Sequence, residues 1–275
     1  SQRGVLNLYH SDAQRDAYAR RGNAMRLNGV DAELLDAAAV RRMMPFLDFE
    51  NARFPIQGGL LQRRGGTARH DAVVWGYARA ADMRGVDIIQ NCEVRSIRVK
   101  NGRVEGVETS RGFIGADKVG LALAGSTSLV AETAGLRLPI ESHVLQAFVS
   151  EGGDIDGYNS YAQRGGRAVI EDVCEGGMAL MPMIGRLRLL RAWGGIMDMS
   201  MDGSPIIDVT PTRGLYLNTG WCYGGFKATP ASGWCFAHLI ATGEAHGAAR
   251  GFKLNRFGTG YVVDEKGMGA QPNLH

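Results

Sequence analysis

Residues 94–125, "VRSIRVKNGRVEGVETSRGFIGADKVGLALAG", carry the strongest fold signal in the chain. Two alternating segments flank Asn101-Gly102. That dipeptide suits a type I′ hairpin turn, whose two central residues both take φ > 0. A second turn at Arg111-Gly112 brings the chain back into a third segment. The pattern then changes: "KVGLALAG" is almost uninterruptedly apolar, as expected of a strand buried on both faces in a parallel sheet. The small residues "AGSTS" turn that strand into the helix "LVAETAG". An antiparallel meander feeding a parallel strand and a helix makes the fold class α/β with α+β character.

Upstream, Val73, Val74, Tyr77, Ala80 and Ala81 form a helical stripe that predicts a helix over 71–83. "VDIIQN" after it reads as a buried strand, and "GGLLQRRGG" as a short strand between glycine turns. Residues 1–30 read as polar and helical, with Ala17, Tyr18 and Met25 facing inward. Asp31 reads as the N-cap of a helix "AELLDAAAVRRMM" that Pro45 ends. Downstream, "HVLQAFVSE" is a strand followed by "GGDIDGYNSYAQRGG", which offers it no partner. "RLRLLRAWGGIMDMS", "PIIDVT" and "GLYLNTGW" are β-like, and "GWCFAHLIATG" is a closing helix before a polar tail.

Composition limits the function. A chain of 275 residues, 45% hydrophobic and 21% charged, can bury a sizeable core. A net charge of +3 without a basic cluster gives no case for a nucleic-acid partner. The four cysteines form no C-x-x-C pair and share no metal-ligand spacing with a histidine, so free thiols in a reducing, cytoplasmic compartment are expected and no metal site is. No apolar run is long enough for a membrane span, and no signal-peptide pattern is visible. Paired glycines such as Gly58-Gly59, Gly194-Gly195 and Gly224-Gly225 allow close backbone approach, one use of which is a large planar ligand.

Three places could carry chemistry. Lys227 follows Gly224, Gly225 and Phe226 and precedes a helix start, whose free N–H groups favour negative charge; a carboxylate-binding lysine and an exposed surface lysine are both open. Ala124-Gly125-Ser126 closes the apolar strand and is either a dinucleotide edge or a plain tight turn. His70, between Arg69 and Asp71 at the head of a helix, is a cap, a satisfied core histidine or a reactive ligand; Arg69 and the helix start would attract a phosphate. The remaining histidines show no informative spacing. No serine sits in a G-x-S-x-G elbow, which disfavours a hydrolase.

Six collinear blocks, "GGTARHDAVVWGYARAADMRGVDIIQNCEV", "ADKVGLALAGSTS", "RLPIESHVLQAFVSE", "DGYNSYAQRG", "WGGIMD…SPIID" and "GWCYGGFKATPASGW", resemble the β subunit of heterotetrameric sarcosine oxidase. More broadly the chain is similar to amine-oxidising flavoproteins of the glycine oxidase and D-amino acid oxidase type. The resemblance implies a partial Rossmann-type FAD-binding domain with a three-stranded meander, from residues 71–136 and 207–275. It also implies an antiparallel-sheet substrate domain from residues 1–70 and 137–206. A noncovalent FAD that oxidises sarcosine and an FMN bound covalently through a histidine are implied, the histidine matching His70 with Thr67 and Arg69 beside the FMN. Lys227 matches the lysine that holds the substrate carboxylate. Gly224, Gly225 and Phe226 match the segment near the isoalloxazine, Ala124 and Gly125 the turn near the pyrophosphate, and Val94 the strand beside the adenine.

Further expectations follow from the resemblance. Monomeric relatives attach FAD to a cysteine whose position falls here at Gly195, in keeping with a noncovalent FAD. The implied partners are other subunits of a hetero-oligomeric oxidase, one of which handles tetrahydrofolate. The family's opening strand and G-x-G-x-x-G turn are not in this sequence, and a segment is skipped between Glu151 and Gly153. A chain without them is expected to bind FAD poorly and to hold an incomplete substrate sheet. A related amino-acid dehydrogenase, for example of proline, and a non-catalytic docking piece are the alternatives.

Overall fold

The computed structural model describes residues 1–150 and 167–263. In chain order these give β1 (Val5–Tyr9), α1 (Asp12–Leu27), β2 (Glu33–Asp36), α2 (Ala37–Met43), β3 (Gly58–Gln62) and α3 (His70–Asp82). Next come β4 (Val94–Lys100), β5 (Arg103–Thr109), β6 (Gly112–Gly115), β7 (Val119–Leu121), α4 (Thr127–Glu132) and β8 (Ile140–Ser150). The remainder is α5 (Arg167–Leu180), β9 (Leu189–Ser200), β10 (Ile206–Val209), β11 (Leu215–Thr219), α6 (Gly225–Thr242) and α7 (Arg256–Thr259). The fold is mixed α/β. Its described residues divide into two compact units, one from Ser1–Arg69 and Gln146–Gly195, the other from His70–Leu145 and Ile196–Val263.

The first unit is organised on β3, the middle strand of an antiparallel sheet ordered β1-β3-β2. Leu60 and Leu61 are buried with Tyr9, Val40 and Ile56. Gly58 is required at the start of β3, because a Cβ there would lie 2.2 Å from both Leu35 O and Tyr9 Oη. The Tyr9 hydroxyl uses that space to donate to Leu35 O at 2.9 Å. The expectation for residues 1–30 is corrected here: the apolar alternation of "VLNLY" pairs as β1, and the helix begins only at Asp12, capped by Ser11 Oγ accepting from Gln14 N. Asp31 is not a cap. It accepts from Arg64, while Asp36 caps α2 by accepting from Ala39 N at 2.7 Å, so β2 occupies the first half of the expected helix.

The second unit is built around β11. Leu215 and Leu217 on one face pack with Ile97, Val104, Leu121 and Ala131 of the meander, β7 and α4. Tyr216 on the other face packs with Cys235 and Leu239 of α6. The two-residue period of a strand explains this split. The meander β4-β5-β6 forms as expected, with Lys100 opposite Arg103 and both Asn101 and Gly102 at positive φ. β7 pairs with β11 in parallel but is only three residues long.

"VDIIQN" does not form a strand, and Val86, Ile88 and Ile89 are half exposed. A strand needs a ladder partner to satisfy its backbone groups, and among the described residues none lies beside it. The junction after Ser150 and the block "DGYNSYAQRG", to Gly165, fall outside the described residues.

Candidate flavin site

The expected dinucleotide turn and the lysine segment come together through β7 and β11. These strands run parallel with Leu121 opposite Leu217, so the residues that follow each leave the same sheet edge. In open α/β sheets, ligands bind outside the carboxyl ends of parallel strands. On this edge Ala124 takes φ 45° and Cys222 φ 49°, two of the four non-glycine residues at positive φ among the described residues. Left-handed backbone at a non-glycine residue costs on the order of 1–3 kcal/mol and tends to gather at ligand sites. Gly125 follows Ala124 against β9, where a Cβ would lie 2.2 Å from Ile196 Cγ2.

α6 begins earlier than the sequence pattern indicates, at Gly225 rather than near Gly233. Tertiary packing of Cys235 and Leu239 anchors it, and Pro230 sits inside it. Gly224 provides no side-chain cap, and the first bond into the helix is from Ala228 N to Gly224 O at 3.2 Å. The N–H groups of Gly225, Phe226 and Lys227 therefore lack an acceptor within the helix and favour a negatively charged group. Lys227 lies in this first turn, exposed, with Nζ donating to Tyr223 O at 3.1 Å. The exposed ring of Phe226 and Thr229 share an apolar cleft of about 390 Å³ with Val73, Val74 and Tyr77 of α3.

His70 opens α3 and is half-buried, with no hydrogen-bond or ionic partner among the described residues. Thr67 and Arg69 belong to the first unit, and Thr67 N donates to Ser1 O at 2.9 Å. Val94 opens β4 opposite Thr109.

Sequence reasoning missed a buried polar cluster beneath the two turns. Asp198 of β9 is 5% exposed, and its Oδ2 accepts from Thr219 Oγ1 at 2.8 Å and from Gly220 N. Its carbonyl accepts from Cys222 N at 3.0 Å. Its other carboxylate oxygen has no donor among the described residues. A charged residue inside the alternating apolar run "GGIMDMS" was the available signal. Burial pushes the Cys222 thiol up; hydrogen bonding with Ser200 offsets part of this, and the charges of Asp198 and Asp202 add to it.

These residues fit an FAD. Uncapped helix N–H groups and a lysine suit anionic or carbonyl oxygens, the apolar cleft suits a ring system, and Asp198 retains a buried acceptor beside the strand ends. All four cysteines are free, and no cluster able to hold a metal occurs among the described residues. No helix among them is long and apolar enough to cross a membrane.

Comparisons with known proteins give the family. The sequence pattern of the FAD dependent oxidoreductase family matches residues 1–152 and 148–239. Sarcosine oxidase subunit beta of Rhizobium meliloti (strain 1021) is 69% identical over 304 residues, covering 100% of this chain and 73% of that protein. Its counterpart from an Arthrobacter species is 44% identical, covering 98% and 74%. Among solved structures, L-proline dehydrogenase from P. horikoshii matches the fold with a TM-score of 0.84 at 21% identity, covering 96% of this chain and 78% of that one. The chain belongs to the FAD dependent oxidoreductase family, among the flavin-dependent amine oxidoreductases of the sarcosine oxidase subunit beta type.

Proposed function

We propose that this chain is the flavin-bearing catalytic subunit of a hetero-oligomeric sarcosine oxidase, working in the cytoplasm. The observation that carries this reading is the meeting of the strained Ala124-Gly125 turn and the uncapped N-terminus of α6 at the carboxyl edge of β7 and β11. The substrate follows from the relatives named sarcosine oxidase subunit beta. The reaction converts sarcosine, dioxygen and water to glycine, formaldehyde and hydrogen peroxide, or passes the one-carbon unit to tetrahydrofolate in a partner subunit. Bound FAD would supply the two-electron acceptor for this oxidation, and His70 would hold an FMN covalently, supplying a further electron carrier.

The chain's own residues bind and orient. Ala124 and Gly125 would hold the FAD pyrophosphate, Val94 the adenine, and Gly224, Gly225 and Phe226 the isoalloxazine. The Lys227 ammonium exchanges the Tyr223 carbonyl for the substrate carboxylate, aided by the positive end of α6. Thr67 and Arg69 would hold the FMN phosphate. FAD binding is proposed for residues 71–136 and 207–275, and the substrate sheet for residues 1–70 and 137–206.

Turnover by the intact complex tests the reading, with sarcosine and proline compared and peroxide measured. Sarcosine is expected to be the better substrate and to yield stoichiometric peroxide. Faster oxidation of proline, or reduction of a dye without peroxide, would contradict it.

A further inference from the structure

We propose that Asp198 is a positioning residue that holds the two flavin-facing turns in register. The inference rests on the proposed FAD site. It starts from a cost: Asp198 is 5% exposed, yet its carboxylate has no ion pair among the described residues. Burying a carboxylate without a cation is unfavourable unless hydrogen bonds compensate, and such groups concentrate where function needs them. The compensating donors here all belong to the segments that leave the sheet edge.

One branch reaches the segment before α6. Asp198 Oδ2 takes the Thr219 hydroxyl at 2.8 Å and the Gly220 N–H, and its carbonyl takes the N–H of Cys222 at 3.0 Å. Gly220 and Cys222 both lie at positive φ, 69° and 49°. Without those bonds nothing else among the described contacts of their N–H groups would hold them there.

The other branch reaches the Ala124-Gly125 turn. Thr219 Oγ1 lies 2.7 Å from Thr127 Oγ1, which lies 2.7 Å from Ala124 O; with the Thr219 proton on Asp198, the single Thr127 proton serves either Thr219 Oγ1 or Ala124 O. Thr127 and Thr219 are both essentially fully buried, so water does not compete for these bonds. Asp198 thus holds the segment before α6 through its carboxylate, at Thr219 and Gly220, and through its main-chain carbonyl, at Cys222, and it meets Thr127 beside Ala124 through the Thr219 hydroxyl.

What matters in this arrangement is an oxygen acceptor at the right place, so Asp198→Asn should substitute for the acid and Asp198→Ala should not. Thr127→Val cuts only the branch to Ala124. The test uses the intact complex in two stages. In flavin-stripped protein, hydrogen exchange at the Gly220 amide should speed up in Asp198→Ala and stay near wild type in Asp198→Asn, while the Cys222 amide keeps its main-chain acceptor in both. In titration with FAD, Asp198→Ala and Thr127→Val should each raise the dissociation constant about tenfold, the loss expected on removing a buried hydrogen bond at a ligand site. Asp198→Asn should stay within about threefold.

Unchanged FAD affinity in Thr127→Val overturns the proposal, including where Asp198→Ala fails to fold. Equal loss in Asp198→Asn and Asp198→Ala overturns it too. Faster amide exchange in Asp198→Ala with unaltered FAD affinity keeps the local brace but refutes its role for the flavin. Wild-type complex that takes up no FAD refutes the proposed flavin site itself, a separate outcome.

Discussion

Replacing Arg256 with methionine should strongly destabilise the second unit. Arg256 opens α7, and it and Asp202 are each 4% exposed at the side chain. Nε donates to Asp202 Oδ2 at 2.7 Å and Nη2 to Asp202 Oδ1 at 2.9 Å, a two-pronged pair. The guanidinium also donates to Ser204 O at 2.8 Å and Lys253 O at 3.0 Å. Methionine fills much of the volume but leaves Asp202 buried without its cation. Breaking one side of a buried pair typically costs about 3–5 kcal/mol. At about 2–4 °C per kcal/mol for a chain of this size class, the unfolding midpoint should fall by roughly 6–20 °C.

The pH dependence adds a second handle. Burial raises the Asp202 carboxyl, but donors from Arg256 and the N–H groups of Val263 and Ser204 outweigh it and hold the folded value below the ordinary range. This stabilisation is present above the unfolded value of about 3.9 and is lost as pH falls through the folded one. In Arg256→Met the uncompensated carboxyl moves the other way, so acidification relieves the variant while it weakens the wild type. The gap should be widest near neutrality and should narrow on acidification. Urea unfolding followed by circular dichroism measures it, with Arg256→Met/Asp202→Asn as the compensated double variant. A single variant within about 1 kcal/mol of wild type at pH 7, or a gap that widens in acid, would refute the reasoning.

Other expected outcomes concern the site. Gly125→Ala places a Cβ against Ile196, whose own Cβ would lie 2.8 Å away and cannot rotate aside, so the turn must shift; FAD affinity measured by flavin fluorescence should drop by about tenfold or more, and unchanged binding would argue against this turn as an FAD contact. Lys227→Met should raise KM for sarcosine by roughly tenfold or more while FAD content stays constant; a loss of FAD with unchanged KM would reassign the lysine. Cys222, with its thiol pushed up by burial, should be alkylated slowly at pH 8 in the folded complex and readily in urea; rapid modification without denaturant would mean the loop is open.

The sequence is legible where local chemistry and tertiary context agree. Asn101-Gly102 specifies its turn whatever surrounds it, and the meander forms around it with the expected pairing. The end of "KVGLALAG" and the segment before α6 each carry a local signal, but their meeting depends on the parallel pairing of Leu121 with Leu217, a long-range contact that no local pattern encodes. "VDIIQN" has the composition of a strand and is unpaired, because strand formation requires a neighbour that composition cannot supply. α6 starts eight residues before the apolar pattern does, since an uncapped glycine start carries no Ser, Thr, Asp or Asn signal. Asp198, Thr219 and Thr127 are far apart in sequence and of ordinary type, so their convergence is visible only in three dimensions.

On the proposed reading, flavin resides on this chain, with FAD at the β7–β11 edge and FMN on His70. Acid precipitation of the purified native complex followed by mass spectrometry of both fractions tests it most directly. FAD should be released into the supernatant, and the peptide containing His70 should show an FMN-sized mass increase. A colourless complex without FAD, or a His70 peptide of unmodified mass from flavin-loaded protein, would contradict it.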